Sequence, residues 1–366
     1  MTVYLVDLEA VDTRYTKQWK EYLPLMLENA GLKVYPISGG HVQQDTTPGA
    51  FLNFAGTNTY KSQQMCTISN LFSNDDNHAL KPKDGDYFLY TDAWNPTVIQ
   101  LKYMAELLGI KIKIGGLWHA GSYDPQDFLG RLIGDAPWVR NAEASMFYCY
   151  DHNFFATEFH LDMFCKNLFD EDDTSEFMEY HQGKIKILGW PMEYLPEILA
   201  PYADVEKKDK IIFPHRLAPE KQIHIFKDLA RELPEFEWFV AQESKLTKEA
   251  YHQHLAESKV VFSANLQETL GISMYEGALV GAFPLMPDRL SYKEMWPEGA
   301  LYPSEWTESF MHYQTHKDKL VTLIRNLVKN NSKEIQDVAK NTAKEVGEKF
   351  FNGSELYKTI LDSQSK

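Results

Sequence analysis

Cysteine is scarce in this sequence: three residues in 366, Cys66, Cys149 and Cys165, with no paired spacing. A disulfide scaffold is therefore unsupported, and the chain reads as cytoplasmic with free thiols. Long apolar runs are missing too. No uninterrupted stretch of about 18 apolar residues occurs, and the start MTVYLVDLEAV carries no basic segment, so neither a membrane span nor a signal peptide is supported. Positive charge is in the minority. The 37 Lys and Arg against 52 Asp and Glu give a formal charge of −15. That argues against a broad electrostatic grip on nucleic acid, although a small basic groove is compatible with it. Internal repeats and low-complexity tracts are absent.

What is present is apolar mass, 44% hydrophobic residues with 13% aromatics, enough for two domains each with its own core. Strand and helix patterns alternate throughout, as in parallel sheets covered on both faces. Strands are expected at 3–8, 32–37, 86–91, 110–114, 146–150 and 184–188, with helices at 16–30 and 97–108. Prolines and then charges at 196–209 mark a linker. A second alternating unit follows, with strands at 210–214, 236–241, 259–263 and 282–286. Its helices are expected at 219–232, 247–257 and 272–280, and a long helical stretch at 332–350.

The most informative stretch is FSANLQETLGISMYEGALVGAFPLMPD, residues 262–288. Glu268 and Glu276 stand eight positions apart, and Gly271 opens a helix between them. Free N–H groups of Gly271 and Ile272 at that helix start favour an anion such as a diphosphate. Glu268 is placed to accept hydrogen bonds from sugar hydroxyls, and Glu276, just over one turn on, to hold the two ribose hydroxyls of a nucleotide. A phosphate-binding turn flanked by two carboxylates suits a sugar nucleotide.

This Glu-x7-Glu spacing resembles the signature of retaining glycosyltransferases of the GT-B fold, of the group 1 or family 4 type. Residues 211–222, IIFPHRLAPEKQ, add an Arg-x4-Lys pair, Arg216 and Lys221, like the pair those enzymes place on the donor diphosphate. The resemblance implies an α/β, GT-B architecture, two Rossmann-like domains facing across a cleft. The acceptor domain would span 1–195, the donor domain 196–340, and a last helix within 341–366 would return to the first domain. It implies transfer of a hexosyl or pentosyl group from a nucleoside diphosphate sugar, UDP-linked in the first instance, to an acceptor hydroxyl with retention of configuration. No metal and no further cofactor are implied. Arg216 and Lys221 would stabilise the leaving diphosphate, Glu268 would orient the sugar, and Thr269, Gly271, Ile272 and Glu276 would hold the nucleotide.

The carboxyl ends of the strands supply the remaining candidates. After strand 110–114 the chain reads GGLWHAGSYDP, where the family often has a histidine reaching the donor; His119 stands there, with a structural hydrogen-bonding role as its alternative. Asp92, Trp94 and Asp124 are acceptor candidates, with an Asx turn and a packed aromatic as the plain reading of the first two. The first strand-to-helix turn, EAVDTRYTKQW, lacks the glycines common in the family, leaving Arg14 and Tyr15 as substitutes for a phosphate or acceptor contact. The acidic run at 170–173 reads as a solvated loop. PDRLSYKEMWP, 287–297, resembles the corresponding segment of tRNA-queuosine mannosyltransferases and related viral proteins. That points to a modified base in phage DNA or tRNA as acceptor, flipped out of any duplex. A glycan, lipid or small-molecule acceptor, and a non-catalytic sugar-nucleotide-binding protein, remain open.

Overall fold

Strand and helix alternation becomes two parallel sheets in the computed structural model, which describes residues 1–11, 14–42, 53–74 and 78–363. The chain divides into two compact units, Met1–Pro191 with Gly353–Lys366, and Met192–Asn352. The first unit carries β1 (Thr2–Val6), β2 (Lys33–Ile37), β3 (Tyr87–Tyr90), β4 (Lys113–Leu117), β5 (His152–Phe155) and β6 (Ile185–Ile187), in the order β2-β1-β3-β4-β5-β6. The second carries β7 (Lys208–Phe213), β8 (Glu237–Val240), β9 (Ser258–Phe262), β10 (Phe283–Pro287) and β11 (Leu301–Tyr302), in the order β11-β10-β9-β7-β8. Every pairing is parallel. Central strands such as β3, with all four residues buried, are apolar on both faces because helices cover both.

Each sheet reverses direction once. The chain leaves β1 for β2 on one side and returns to β3 on the other, and β7 is likewise flanked by β8 and β9. At such a switch point the loops beyond the carboxyl ends of the two central strands part, leaving a crevice for ligand. The candidate residues of the second unit lie in the loops that follow β7 and β9.

Several sequence expectations shift. The segment MFYCY at 146–150 is not a strand. It ends the helix Pro137–Cys149, whose buried positions Val139, Glu143, Met146 and Phe147 follow the helical period, and the strand is the next segment, HNFF. The strand expected at 110–114 begins only at Lys113, so Gly115 and Gly116 lie inside β4 and not after it. Their lack of side chains is a packing requirement. A Cβ at Gly115 would run into Tyr87 and Phe154, and one at Gly116 would lie 2.6 Å from the Tyr150 ring. Residues 196–209 hold the helix Leu195–Leu199, a short 3-10 turn and the start of β7. The acidic run caps helices: Asp170 takes a left-handed conformation after Glu158–Phe169, and Asp173 accepts from the Glu176 N–H at the start of Thr174–Tyr180. Among the described residues no helix is long and apolar enough to cross a membrane.

Candidate functional site

In the second unit, the loops after β7 and β9 are joined by side chains that sequence reading passes over. After β7 the chain turns through the 3-10 segment Pro219–Lys221 and reaches Gln222 in a left-handed conformation, φ 53°. The buried Gln222 amide then donates to the carbonyls of Ala264 at 2.7 Å and Thr307 at 2.6 Å. From the other side Arg289 donates to the carbonyls of Asn265 at 2.7 Å and of Ala264 and Ser304 at 2.9 Å. A planar guanidinium spread over several carbonyls fixes a loop that has no ladder of its own. The segment 263–268 is thereby held rigidly against the Arg216–Lys221 turn.

On this frame the predicted cations and the first glutamate meet. Lys221, 5% exposed, donates to the Gln267 carbonyl at 2.5 Å, and its ammonium lies 3.6 Å from the Glu268 carboxylate. Arg216 is ion-paired with the buried Glu220. Glu268 also accepts from the Thr269 N–H at 3.2 Å and from the Asn265 amide at 3.4 Å. Burial, the largest single influence, would raise its pKa, but Lys221, His215 and the backbone N–H groups of Gly271 and Leu270 together outweigh it, so Glu268 is held below the usual carboxylate range. Gly271 then starts the helix Ile272–Leu279 with φ 77°, a conformation that suits glycine. A Cβ there would lie 2.7 Å from the Tyr292 ring.

Glu276 is buried on that helix, and its partners come from the helix Lys248–Glu257. Lys248 Nζ lies 2.9 Å from one oxygen, and the Tyr251 hydroxyl donates to the other at 3.0 Å. Burial opposes ionisation here too, but Lys248 and His252 outweigh it and bring the pKa down to about 2. A folded value below the unfolded 4.5 gives stability that is fully present above about pH 4.5 and lost as pH falls towards 2. The urea midpoint should therefore fall over that window, and Glu276→Gln should flatten the fall; an unchanged slope would show that Glu276 does not carry it.

Neither Lys248 nor Tyr251 carries a sequence signal, because nothing in a single chain links them to a glutamate 25 or more positions later. His215 is another missed neighbour. It is buried beside Asn265, and burial, with the Lys221 charge behind it, pushes its pKa down to about 3, so the ring is neutral near pH 7.

The remaining candidates lie in the first unit. His119 has both ring nitrogens engaged: Nε2 lies 2.5 Å from the Thr91 carbonyl and Nδ1 2.7 Å from the Tyr15 hydroxyl. Since a carbonyl only accepts, Nε2 carries the proton and Tyr15 donates to Nδ1. Trp190 and Trp19 pack on the same ring, with centroids 4.3 and 5.4 Å away. Arg14 lies over the Tyr15 ring at 5.7 Å. Asp92 accepts from the Trp94 N–H at 3.0 Å, closing an Asx turn, and the Trp94 indole donates to the buried Glu143 at 2.6 Å. Asp124 is buried and accepts from the Gln126 N–H at 2.9 Å, a second Asx turn.

Comparison with known proteins gives a fold but no family. No family model matches the sequence. The tRNA-queuosine alpha-mannosyltransferase of Drosophila melanogaster is 32% identical over 84 residues, which is 23% of this chain and 20% of that protein. The chain thus matches about a fifth of the length of that curated relative. Among solved structures, the catalytic domain of Arabidopsis thaliana starch synthase IV, bound to ADP and acarbose, superposes with a TM-score of 0.59 at 9% identity, covering 100% of this chain and 99% of that one. Anabaena HepE, in complex with UDP and glucose, superposes with a TM-score of 0.57 at 12% identity, over 100% of both chains. This full-length likeness, with the two parallel-sheet units, establishes a GT-B fold of two Rossmann-like domains.

Proposed function

We propose that this protein is a glycosyltransferase whose second unit holds a nucleoside diphosphate sugar. The observation that carries this reading is the Lys221–Glu268 pair, 3.6 Å apart, beside the left-handed Gly271 that opens the helix bearing Glu276. A buried ammonium, a helix start and two ionised carboxylates supply, in one small region, partners for a diphosphate and for two sets of hydroxyls. In this reading Lys221 and Arg216 offset the charge that builds on the leaving diphosphate. The Thr269, Gly271 and Ile272 region cradles phosphate, and Glu268 orients the donor sugar. Glu276, with one lone pair on each oxygen left by Lys248 and Tyr251, takes the ribose hydroxyls. His119, with both ring nitrogens engaged, positions Tyr15.

Transfer then breaks the bond between the anomeric carbon and the diphosphate oxygen and forms one to the acceptor oxygen, while the acceptor proton passes to the leaving diphosphate. Same-face attack of this kind retains configuration, as the Glu-x7-Glu resemblance implies. UDP is the first donor nucleotide to test, since HepE was solved with it, and ADP the second. The queuosine mannosyltransferase similarity, short as it is, makes a modified nucleic-acid base the first acceptor to try.

The test is incubation with UDP-, ADP- and GDP-hexoses and mass-spectrometric detection of released nucleoside diphosphate. One donor consumed by the wild-type protein, faster with acceptor than without, is the expected result. No consumption of any donor, with or without acceptor, would overturn the reading.

A further inference from the structure

A second charged hollow lies in the same unit, at the other end of its strands. There the amino ends of β7 and β9 meet the start of the helix Lys333–Phe350. A hollow of about 530 Å³ opens between them, lined by Lys207, Lys259, Lys333, Asn331 and Gln336, among others. The five residues of β9, roughly 16 Å of strand, separate it from the loop that carries Glu268.

Burial sorts the charges here. Lys207 is half-buried, donates to the Val280 carbonyl at 2.8 Å and pairs with no carboxylate among the described residues. Lys259, its side chain 17% exposed, donates to the Val328 carbonyl at 3.0 Å and is paired with Asp209. Lys340, 19% exposed, donates at 2.5 Å to the carbonyl of Ala203, a wall residue, and lies 3.8 Å from Asp204. Lys333 stands on the rim, 3.4 Å from Asp337. The carboxylates of this region, Asp204, Glu206, Asp209, Glu334 and Asp337, are all exposed, whereas Lys207, Lys259 and Lys340 are set inward and tied to backbone carbonyls.

Water and salt screen an exposed carboxylate, but an ammonium against low-dielectric walls keeps its field. The interior of the hollow is therefore positive. Burial, then the charges of Lys340 and Lys333, bring the Lys207 pKa down to about 7, with no carboxylate opposing them. An anion in the hollow restores the charge of Lys207 and relieves the repulsion among the lysines. Each tethered ammonium keeps N–H groups for that anion. A phosphate, with three strong acceptor oxygens, can engage several of them at once. The volume admits more than a bare ion, and Asp204 and Glu206 at the mouth suit hydroxyl groups.

We propose that this hollow binds the phosphomonoester of a small polyhydroxy metabolite, with Lys207, Lys259 and Lys333 on the phosphate and Asp204 and Glu206 on the hydroxyls beyond it. The site is independent of the transferase reading.

Isothermal titration calorimetry on the full-length protein at pH 7 tests the assignment, with glycerol 3-phosphate, inorganic phosphate, glycerol and citrate as probes. Glycerol 3-phosphate is expected to bind saturably at one site, inorganic phosphate more weakly and glycerol not at all. Lys207→Met should weaken glycerol 3-phosphate at least tenfold and Lys333→Ala at least threefold. Lys333 lies on the surface, so its variant reports on binding even where loss of the Lys207 tether unfolds the other. UDP should not displace glycerol 3-phosphate, and Lys221→Ala should bind it as wild type does. No saturable binding by wild type, unchanged affinity in both folded variants, displacement by UDP, or inorganic phosphate or citrate bound as tightly would each overturn the proposal. A wild-type protein that binds glycerol 3-phosphate but no nucleotide would strike the transferase reading and uphold this site.

Discussion

Replacing Lys221 with alanine is expected to cut turnover of the sugar donor by about 10²–10³-fold, on the order of 3–4 kcal/mol of transition-state stabilisation. The size of the effect follows from where the ammonium sits. It is almost fully buried, so its field is weakly screened, and it is fixed by the Gln267 carbonyl at 2.5 Å. Charge that grows on a diphosphate oxygen during bond cleavage meets this cation without any side chain having to reorganise. Alanine also leaves Glu268 without its nearest counter-charge, 3.6 Å away, and frees that carboxylate to repel the phosphate. Glu268→Ala is the companion variant. It should reduce turnover by orders of magnitude through loss of sugar orientation while sparing nucleotide affinity. Steady-state kinetics with unfolding midpoints measured on the same preparations checks both. Wild-type turnover in both folded variants would remove the site assignment.

The second large effect is structural and lies at Gly271. Gly271→Val should destabilise the second unit by about 3–4 kcal/mol and abolish nucleotide binding. A φ of 77° costs an L-residue about 1–2 kcal/mol, and more for a β-branched side chain. A Cβ 2.7 Å from the Tyr292 ring adds overpacking strain of about 1–3 kcal/mol. Tyr292 has little room to yield, being fully buried with its hydroxyl 3.0 Å from both Ser263 and Asn265. Strain placed there passes into the segment that carries Glu268. Urea denaturation measures the stability loss, and a variant as stable as wild type would contradict the geometry.

Much of the architecture was legible in the sequence because it rests on local pattern. The helix 97–108 and its Gly109 stop were readable from an apolar stripe ended by a left-handed glycine, and the helix is Thr97–Leu108. In the second unit the four longer strands were readable as short apolar runs, whereas the two-residue β11, Leu301–Tyr302, was not expected. The misread strand in the first unit has a plain cause. An apolar run such as MFYCY suits a buried helix face as well as a strand, and only the neighbours at Val139 and Glu143 decide between them.

The candidate site divides the same way. Glu268, Gly271 and Glu276 lie within nine residues, so spacing alone relates them. Lys221 needed the chain order of two motifs. The tethers from Gln222 and Arg289 and the Lys248 and Tyr251 partners of Glu276 join residues separated by 15 to 85 positions. Single-sequence periodicity carries no information at that range.

The central claim is that the second unit binds a nucleoside diphosphate through the Lys221, Gly271 and Glu276 region. The most direct measurement is a thermal-shift series of the full chain with UDP, ADP, GDP and their sugars, repeated on Lys221→Ala. One nucleotide at about 100 times its dissociation constant should add roughly 2.7 kcal/mol to wild-type stability, and the variant should show little of that gain. No shift with any nucleotide, or an equal shift in the variant, would contradict the account.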